Sequence, residues 1–267
     1  METITSYRDK KLVQYLKPGL RVCLSFRHGV GDTVQFQPIY ETLKRLYPDV
    51  HWNLKTYNGQ EAIWDDGTDT EYDYWFEIAY PSSEHLPGIT KPQLCCDVEL
   101  GIKYSDVPEP LSPPPKRNFE SPLVAVHFQS TCDPSINVPP SVAQRVWNGI
   151  LKAGLIPIEV HFQHRWHNKL NTKFPFISAT VREADASMVS LIGLLERCRA
   201  CIGVNSGPFY LAKSMGLPVL YLRTKYTMEH YLRNPGGLSL MKNQIREDII
   251  EAWLRSLSSE AIVSDAS

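Results

Sequence analysis

The stretch Ala200-Cys-Ile-Gly-Val-Asn-Ser-Gly-Pro-Phe-Tyr210, continued by Gly216-Leu-Pro-Val-Leu-Tyr-Leu222, decides the fold. Residues 200–204 form a short, uncharged apolar run, as expected of a strand buried on both faces. Asn205-Ser-Gly-Pro208 is a compact turn that starts a helix, because Asn and Ser suit the cap and Pro the first turn. The helix runs to Met215 and ends at Gly216, and residues 218–222 form a second apolar strand. A strand, a helix and a strand in this order make the unit from which parallel sheets are built.

The same alternation extends upstream. Residues 123–128 and 156–162 read as strands, and 141–153 as a helix with Val142, Val146, Trp147 and Ile150 on one face and Gly154 as its stop. Residues 187–198 read as a helix with Met188, Leu191, Ile192 and Leu195 inward. Three or four parallel strands with covering helices make an open doubly wound sheet. Downstream, 244–257 is an amphipathic helix with Ile245, Ile249, Trp253 and Leu257 on a common side, and 258–267 reads as a disordered tail.

The N-terminal half repeats the theme. Residues 21–26 form a strand, 27–31 a glycine-bearing loop, 32–46 a helix and 51–57 a strand. Phe36, Ile39, Tyr40, Leu43 and Leu46 recur at helical spacing, and Pro48 stops the helix. The acidic and aromatic run 64–74 lacks the spacing of a calcium loop and reads as solvated loop. Residues 111–118, rich in proline, read as a linker. The reading is therefore an α/β chain of two Rossmann-like doubly wound domains facing a cleft: 1–115, 116–243, and a C-terminal helix and tail over 244–267.

Bulk properties fit that reading. A chain of 267 residues, 43% hydrophobic and 21% charged, can bury two cores. With 28 basic and 29 acidic residues the net charge is -1, so no strong field draws in nucleic acid or an anionic membrane. The N-terminus is polar, without the apolar core of a secretory signal, and no apolar run is long enough to span a membrane. A cytoplasmic protein with reduced cysteines is expected. Cys198-Arg-Ala-Cys201 has the spacing of a zinc pair but no second pair, and it reads as a helix end leading into a buried strand.

Open α/β sheets bind ligands at the carboxyl ends of their strands. Two loops fall there. In the second half, Asn205-Ser-Gly207 precedes a helix whose free N–H groups and dipole suit a diphosphate, unless the turn is only a well-capped helix start. In the first half, His28-Gly-Val-Gly-Asp32 places a carboxylate at a helix start. Asp32 is either a cap or a general base, and the helix terminus favours its charged form. His161, His164 and His167, near Glu159 and Trp166, read as a metal loop, as a loop lining a donor site, or as plain surface.

These blocks together resemble glycosyltransferases of the bacterial heptosyltransferase kind, glycosyltransferase family 9. The resemblance lies in Gly31-Asp32-Thr-Val…Pro38…Leu43-Lys-Arg-Leu-Tyr-Pro48, in Ile202-Gly-Val-Asn-Ser-Gly207…Tyr210-Leu-Ala212…Gly216-Leu-Pro218, in Val124-Ala-Val-His-Phe-Gln-Ser-Thr131, and in Trp147. It implies a GT-B fold and a nucleotide-diphosphate sugar, ADP-heptose-like, as donor. It also implies a C-terminal domain that holds the donor, an acceptor hydroxyl of unknown identity, and no required metal or other cofactor. By the same resemblance Asp32 is the catalytic base. Ser206 and Gly207 form the diphosphate turn, joined by Asn205 and Tyr210, and Ser130 and Thr131 form a second phosphate loop. The chain departs from the family where Asp-Thr-Gly becomes Asn205-Ser-Gly207, where a histidine becomes Tyr210, and where Cys132-Asp-Pro134 replaces a lysine. Arg27, Arg223 or Lys225 then supplies the positive charge, with His28, Gly31 and His161 as further cleft residues. A non-catalytic sugar-nucleotide binder, an epimerase and a transferase acting on a nucleic-acid base are the rival readings.

Overall fold

The computed structural model describes residues 2–5, 11–56, 72–78, 91–108, 120–130, 134–160, 188–223 and 238–264. They separate into two units on either side of residues 109–119.

The first unit is built on β2 (Arg21–Phe26), whose apolar residues are all buried. Helix α1 (Val30–Leu46) leads to β3 (His51–Thr56), and β4 (Tyr74–Glu77) and β1 (Glu2–Thr5) complete a parallel sheet in the order β1-β4-β2-β3. Strand β4 starts at Tyr74, the last residue of the run 64–74 that reads as loop. Its register is fixed from outside: Asp73 receives the Arg21 amide at 2.9 Å and the Arg21 guanidinium at 3.0 Å, and gives its own N–H to the Arg21 carbonyl at 2.8 Å. The guanidinium hydrogen bond holds the Asp73 carboxyl below its usual pKa.

Helix α1 begins two residues before the expected Asp32. Phe36, Ile39, Tyr40 and Leu43 are fully buried as their spacing requires, whereas Leu46 is 41% exposed at the helix end. Pro38 stands inside the helix. It has no N–H for the preceding turn, and its own carbonyl accepts the Thr42 hydroxyl at 2.8 Å. A short helix follows, α2 (Lys91–Leu94), widening over Cys95–Leu100 and closed by Gly101 at φ 82°. A Cβ on Gly101 would meet Val13 Cγ2 at 2.8 Å, so only glycine fits there.

The second unit runs β5 (Leu123–His127), α3 (Pro140–Lys152), β6 (Ile156–Glu159), α4 (Met188–Glu196), β7 (Ala200–Gly203), α5 (Gly207–Ser214), β8 (Val219–Arg223), β9 (Leu238–Met241) and α6 (Glu247–Ser264). The sheet is parallel, in the order β6-β5-β7-β8-β9. Five strands stand where three or four are expected, because Leu238-Ser-Leu-Met241 is too short to announce itself. Helices α3 and α6 cover one face, packing Val142, Val146, Trp147, Ile250 and Leu254 against Val124, Val126, Ile202 and Leu222. They approach so closely that a Cβ on Gly149 would lie 2.7 Å from Ile250 Cβ.

Helix α6 corrects two expectations. It starts at Glu247, so Ile245 packs from the segment before it; Ile250 and Leu254 join Leu257 on the buried side, with Ile249 and Trp253 partly buried against the same core. It also continues to Ser264, where a disordered tail is expected from Ser258. Glu260, Ala261 and Ile262 are compatible with a helix already nucleated upstream, and each added residue then gains a hydrogen bond without a new nucleus.

No helix among the described residues is long and apolar enough to cross a membrane.

Candidate functional site

Each sheet has one place where the strand order reverses. In the second unit the chain steps from β5 out to β6, then returns to the far side of β5 as β7. The carboxyl ends of β5 and β7 flank this switch point, where doubly wound sheets bind ligands. The Val204 amide bonds the His127 carbonyl at 3.0 Å and holds the two ends together. Gly203 permits this approach, since a Cβ there would lie 3.1 Å from the His127 carbonyl oxygen.

The four expected donor residues Asn205, Ser206, Gly207 and Tyr210 sit on the turn after β7 and the start of α5. Ser206 occupies the N-cap of α5 but does not cap it: its hydroxyl donates back to the Val204 carbonyl at 3.1 Å. The sequence reading of a side-chain cap by Asn205 or Ser206 is thereby corrected. Ser206 turns its hydroxyl back toward its own strand and leaves the first amides of α5 without a bond from the N-cap side chain. Gly207 and Pro208 form the first turn, and proline has no N–H to satisfy.

Asn205 and Tyr210, the two departures from the family pattern, are joined: the Tyr210 hydroxyl donates to Asn205 Oδ1. Tyr210 is buried against Phe209, which also packs on Tyr221 at 5.4 Å. The two changes thus act as one unit. A double-mutant cycle of Asn205→Ala and Tyr210→Phe, followed by denaturant unfolding, is expected to show a coupling of about 1 kcal/mol. Strictly additive losses would mean that the bond contributes nothing.

The loop after β5 folds back on itself. The Val138 amide bonds the Phe128 carbonyl at 2.9 Å, and the Ser130 amide bonds Asn137 Oδ1 at 2.6 Å. Ser130 is buried, and its backbone N–H is used within the loop. Its hydroxyl is the group left to meet a ligand. His127 is buried at the end of β5, with Nδ1 2.7 Å from the Val160 carbonyl. Because a carbonyl only accepts, Nδ1 carries the proton. Arg223 ends β8, half-buried, on the same sheet edge. Asn137 lies in no local sequence pattern, and His127, though inside the block 124–131, carries no role there; loop closure and strand pairing bring both here.

The first unit has its switch point between β2 and β4. The His28 ring spans it, with Nε2 3.2 Å from the Ile78 carbonyl, while the ring tilts against Phe26 at 4.5 Å. Phe26 stacks in turn on Phe36 of α1 at 4.3 Å. Gly29 is the N-cap, and Gly31 and Asp32 lie in the first turn of α1. Asp32 is therefore not the N-cap, one of its two sequence readings. It is half-buried, and Arg27, which follows β2, is exposed.

Thr131, His161, Lys225 and the histidines at 164 and 167 lie outside the described residues. Among the described residues no three His, Cys, Asp or Glu side chains gather as a metal site needs. Burial pushes the Cys198 thiol up to about 12 and raises Cys201 as well.

No protein-family model and no curated protein matches the chain. Solved structures do. ADP-heptose LPS heptosyltransferase II of E. coli aligns over 91% of this chain and 99% of its own, with TM-score 0.68 and 12% identity. A family 9 glycosyl transferase from Veillonella parvula aligns over 90% and 97%, with TM-score 0.61 and 12% identity. The dodecameric iron-containing heptosyltransferase TibC, solved with ADP-D-β-D-heptose, aligns over 91% and 77%, with TM-score 0.58 and 13% identity. At such identities the likeness is one of fold. The chain has the α/β GT-B fold of the family 9 heptosyltransferases, the fold class expected from its sequence.

Proposed function

We propose that the protein is an inverting, metal-independent glycosyltransferase that moves a sugar from a nucleotide-diphosphate donor, ADP-heptose-like, to an acceptor hydroxyl. The observation that carries this reading is the uncapped start of α5 at the β5–β7 switch point, beside Asn205, Ser206 and Gly207. Backbone amides and the helix dipole favour a diphosphate there. Ser130, Thr131, Tyr210 and Arg223 complete the donor site, with His161 and Lys225 as further contacts.

In the reaction the acceptor oxygen attacks the anomeric carbon from the face opposite the diphosphate. The bond to the diphosphate oxygen breaks, and both electrons leave with the nucleotide. Asp32 takes the proton of the attacking hydroxyl. His28, held by the Ile78 carbonyl, fixes the loop that carries Asp32. The first unit receives the acceptor. The protein acts in the cytoplasm, where nucleotide sugars are made and buried cysteines stay reduced; among the described residues five free cysteines are buried.

The test is transfer from nucleotide-diphosphate sugars to a set of hydroxyl acceptors, with and without a chelator, and with the product's anomeric configuration read by NMR. Inverted product, unaffected by the chelator, is expected. Retained configuration or loss of activity on chelation would overturn the corresponding part. A second reading, a non-catalytic binder of sugar nucleotides, draws on the neutral Asn205–Tyr210 pair, where the family pattern has an acid and a histidine. It predicts tight donor binding without turnover for any acceptor.

A further inference from the structure

Lys242 directly follows β9, and nothing in the neighbouring sequence marks it. All five strands of its sheet are parallel, so the ends of β9 and β5 lie along one edge, the edge on which α5 begins. Lys242 Nζ donates to the Asn137 carbonyl at 2.6 Å, and the side chain of the same asparagine accepts the Ser130 amide at 2.6 Å. A single residue therefore ties the ammonium to the loop after β5. Arg223, the last residue of β8, pairs with Met241 just before it, so two cationic residues stand near this corner of the sheet.

Lys242 is half-buried. Partial removal from water holds its pKa below the usual lysine value. Among the described residues it meets that single neutral carbonyl and no carboxylate. A partly desolvated cation with one neutral acceptor is poorly compensated, and two of its three donors remain for another group.

We propose that Lys242 is the cation of the diphosphate site, held in place by Asn137; the inference rests on the nucleotide-diphosphate reading given above. Its charge meets the phosphate oxygens of the bound donor. When the glycosidic bond breaks and its electron pair stays on the diphosphate oxygen, the same ammonium stabilises the added charge. Asn137 is a positioning residue that links the cation to Ser130.

Calorimetric titration of the full chain with inorganic pyrophosphate and with ADP tests this, and circular dichroism checks that each variant is folded. Lys242→Met and Lys242→Gln are expected to bind both probes at least about tenfold more weakly, and Lys242→Arg to stay close to wild type. The salt dependence of binding should also fall in the Met and Gln variants. If Lys242→Gln binds like wild type while Lys242→Met does not, the residue only positions Asn137 and the charge claim fails. If Lys242→Met also binds like wild type, the residue has no part in the site. If wild type binds neither probe, the donor-site reading fails and takes this inference with it.

Discussion

Asp32→Asn is expected to lower transfer by about 10²–10⁴-fold, the usual contribution of a positioned general base. Nucleoside-diphosphate affinity should stay within about twofold, because the donor residues named above belong to the second unit. The substitution keeps the size and most hydrogen bonds of the side chain but removes its ability to accept a proton. Asp32 stands in the first turn of α1 at the β2–β4 switch point, and Gly29, not Asp32, is the N-cap. Loss of the charge at a helix start costs about 0.3–1 kcal/mol of stability, too little to unfold the chain. A melting curve separates that small effect from catalysis. Near wild-type turnover in the variant would show that Asp32 is not the base.

Phe36→Ala is expected to destabilise the first unit by about 3–5 kcal/mol, the range for deleting a fully buried aromatic ring. Phe36 is fully buried and stacks on Phe26 at 4.3 Å, and Phe26 supports the His28 ring. The cavity would therefore open directly beneath the loop that carries Asp32. Denaturant unfolding should show the loss in its midpoint. Under conditions where the variant remains folded, kcat should fall while donor affinity in the second unit holds. Destabilisation below about 1 kcal/mol would mean that this stack does not support the loop.

What was legible in the sequence follows from which forces are local. Strands such as β2, β5 and β7 are short apolar runs, and α3 carries a clear helical stripe, so pattern alone places them. The turns at Asp32 and at Asn205–Gly207 lie between such elements, and a strand followed by a helix start is visible without coordinates. Strand β4 carries no clear pattern: it is four residues long and begins at the end of the acidic, aromatic run 64–74, where Asp73 grips Arg21. On α6 the sequence stripe gives Ile249, Trp253 and Leu257, which do pack on the core, but only the approach of α3 at Gly149 shows that Ile250 is the more deeply buried of the two adjacent isoleucines.

The site shows the same division. Asn205 and Tyr210 read as two separate departures in sequence, and their hydrogen bond makes them a single feature. Ser206 looked like a helix cap, but its hydroxyl bonds back to Val204, a choice that depends on side-chain rotation rather than on residue type. Lys242 and Asn137 carry no sequence signal, because 105 positions separate them and sheet topology joins them.

The central claim is that the second unit holds a nucleotide diphosphate. The most direct measurement is a thermal-shift screen of the purified full chain against nucleoside diphosphates and their sugars, with and without magnesium. A ligand that binds only the folded state raises the melting temperature by mass action, by an amount equivalent to about 2.7 kcal/mol at one hundred times its Kd. The account predicts a clear rise with one nucleoside diphosphate, unchanged by magnesium and absent with the bare nucleoside. No rise with any of them, at concentrations into the millimolar range, would contradict it.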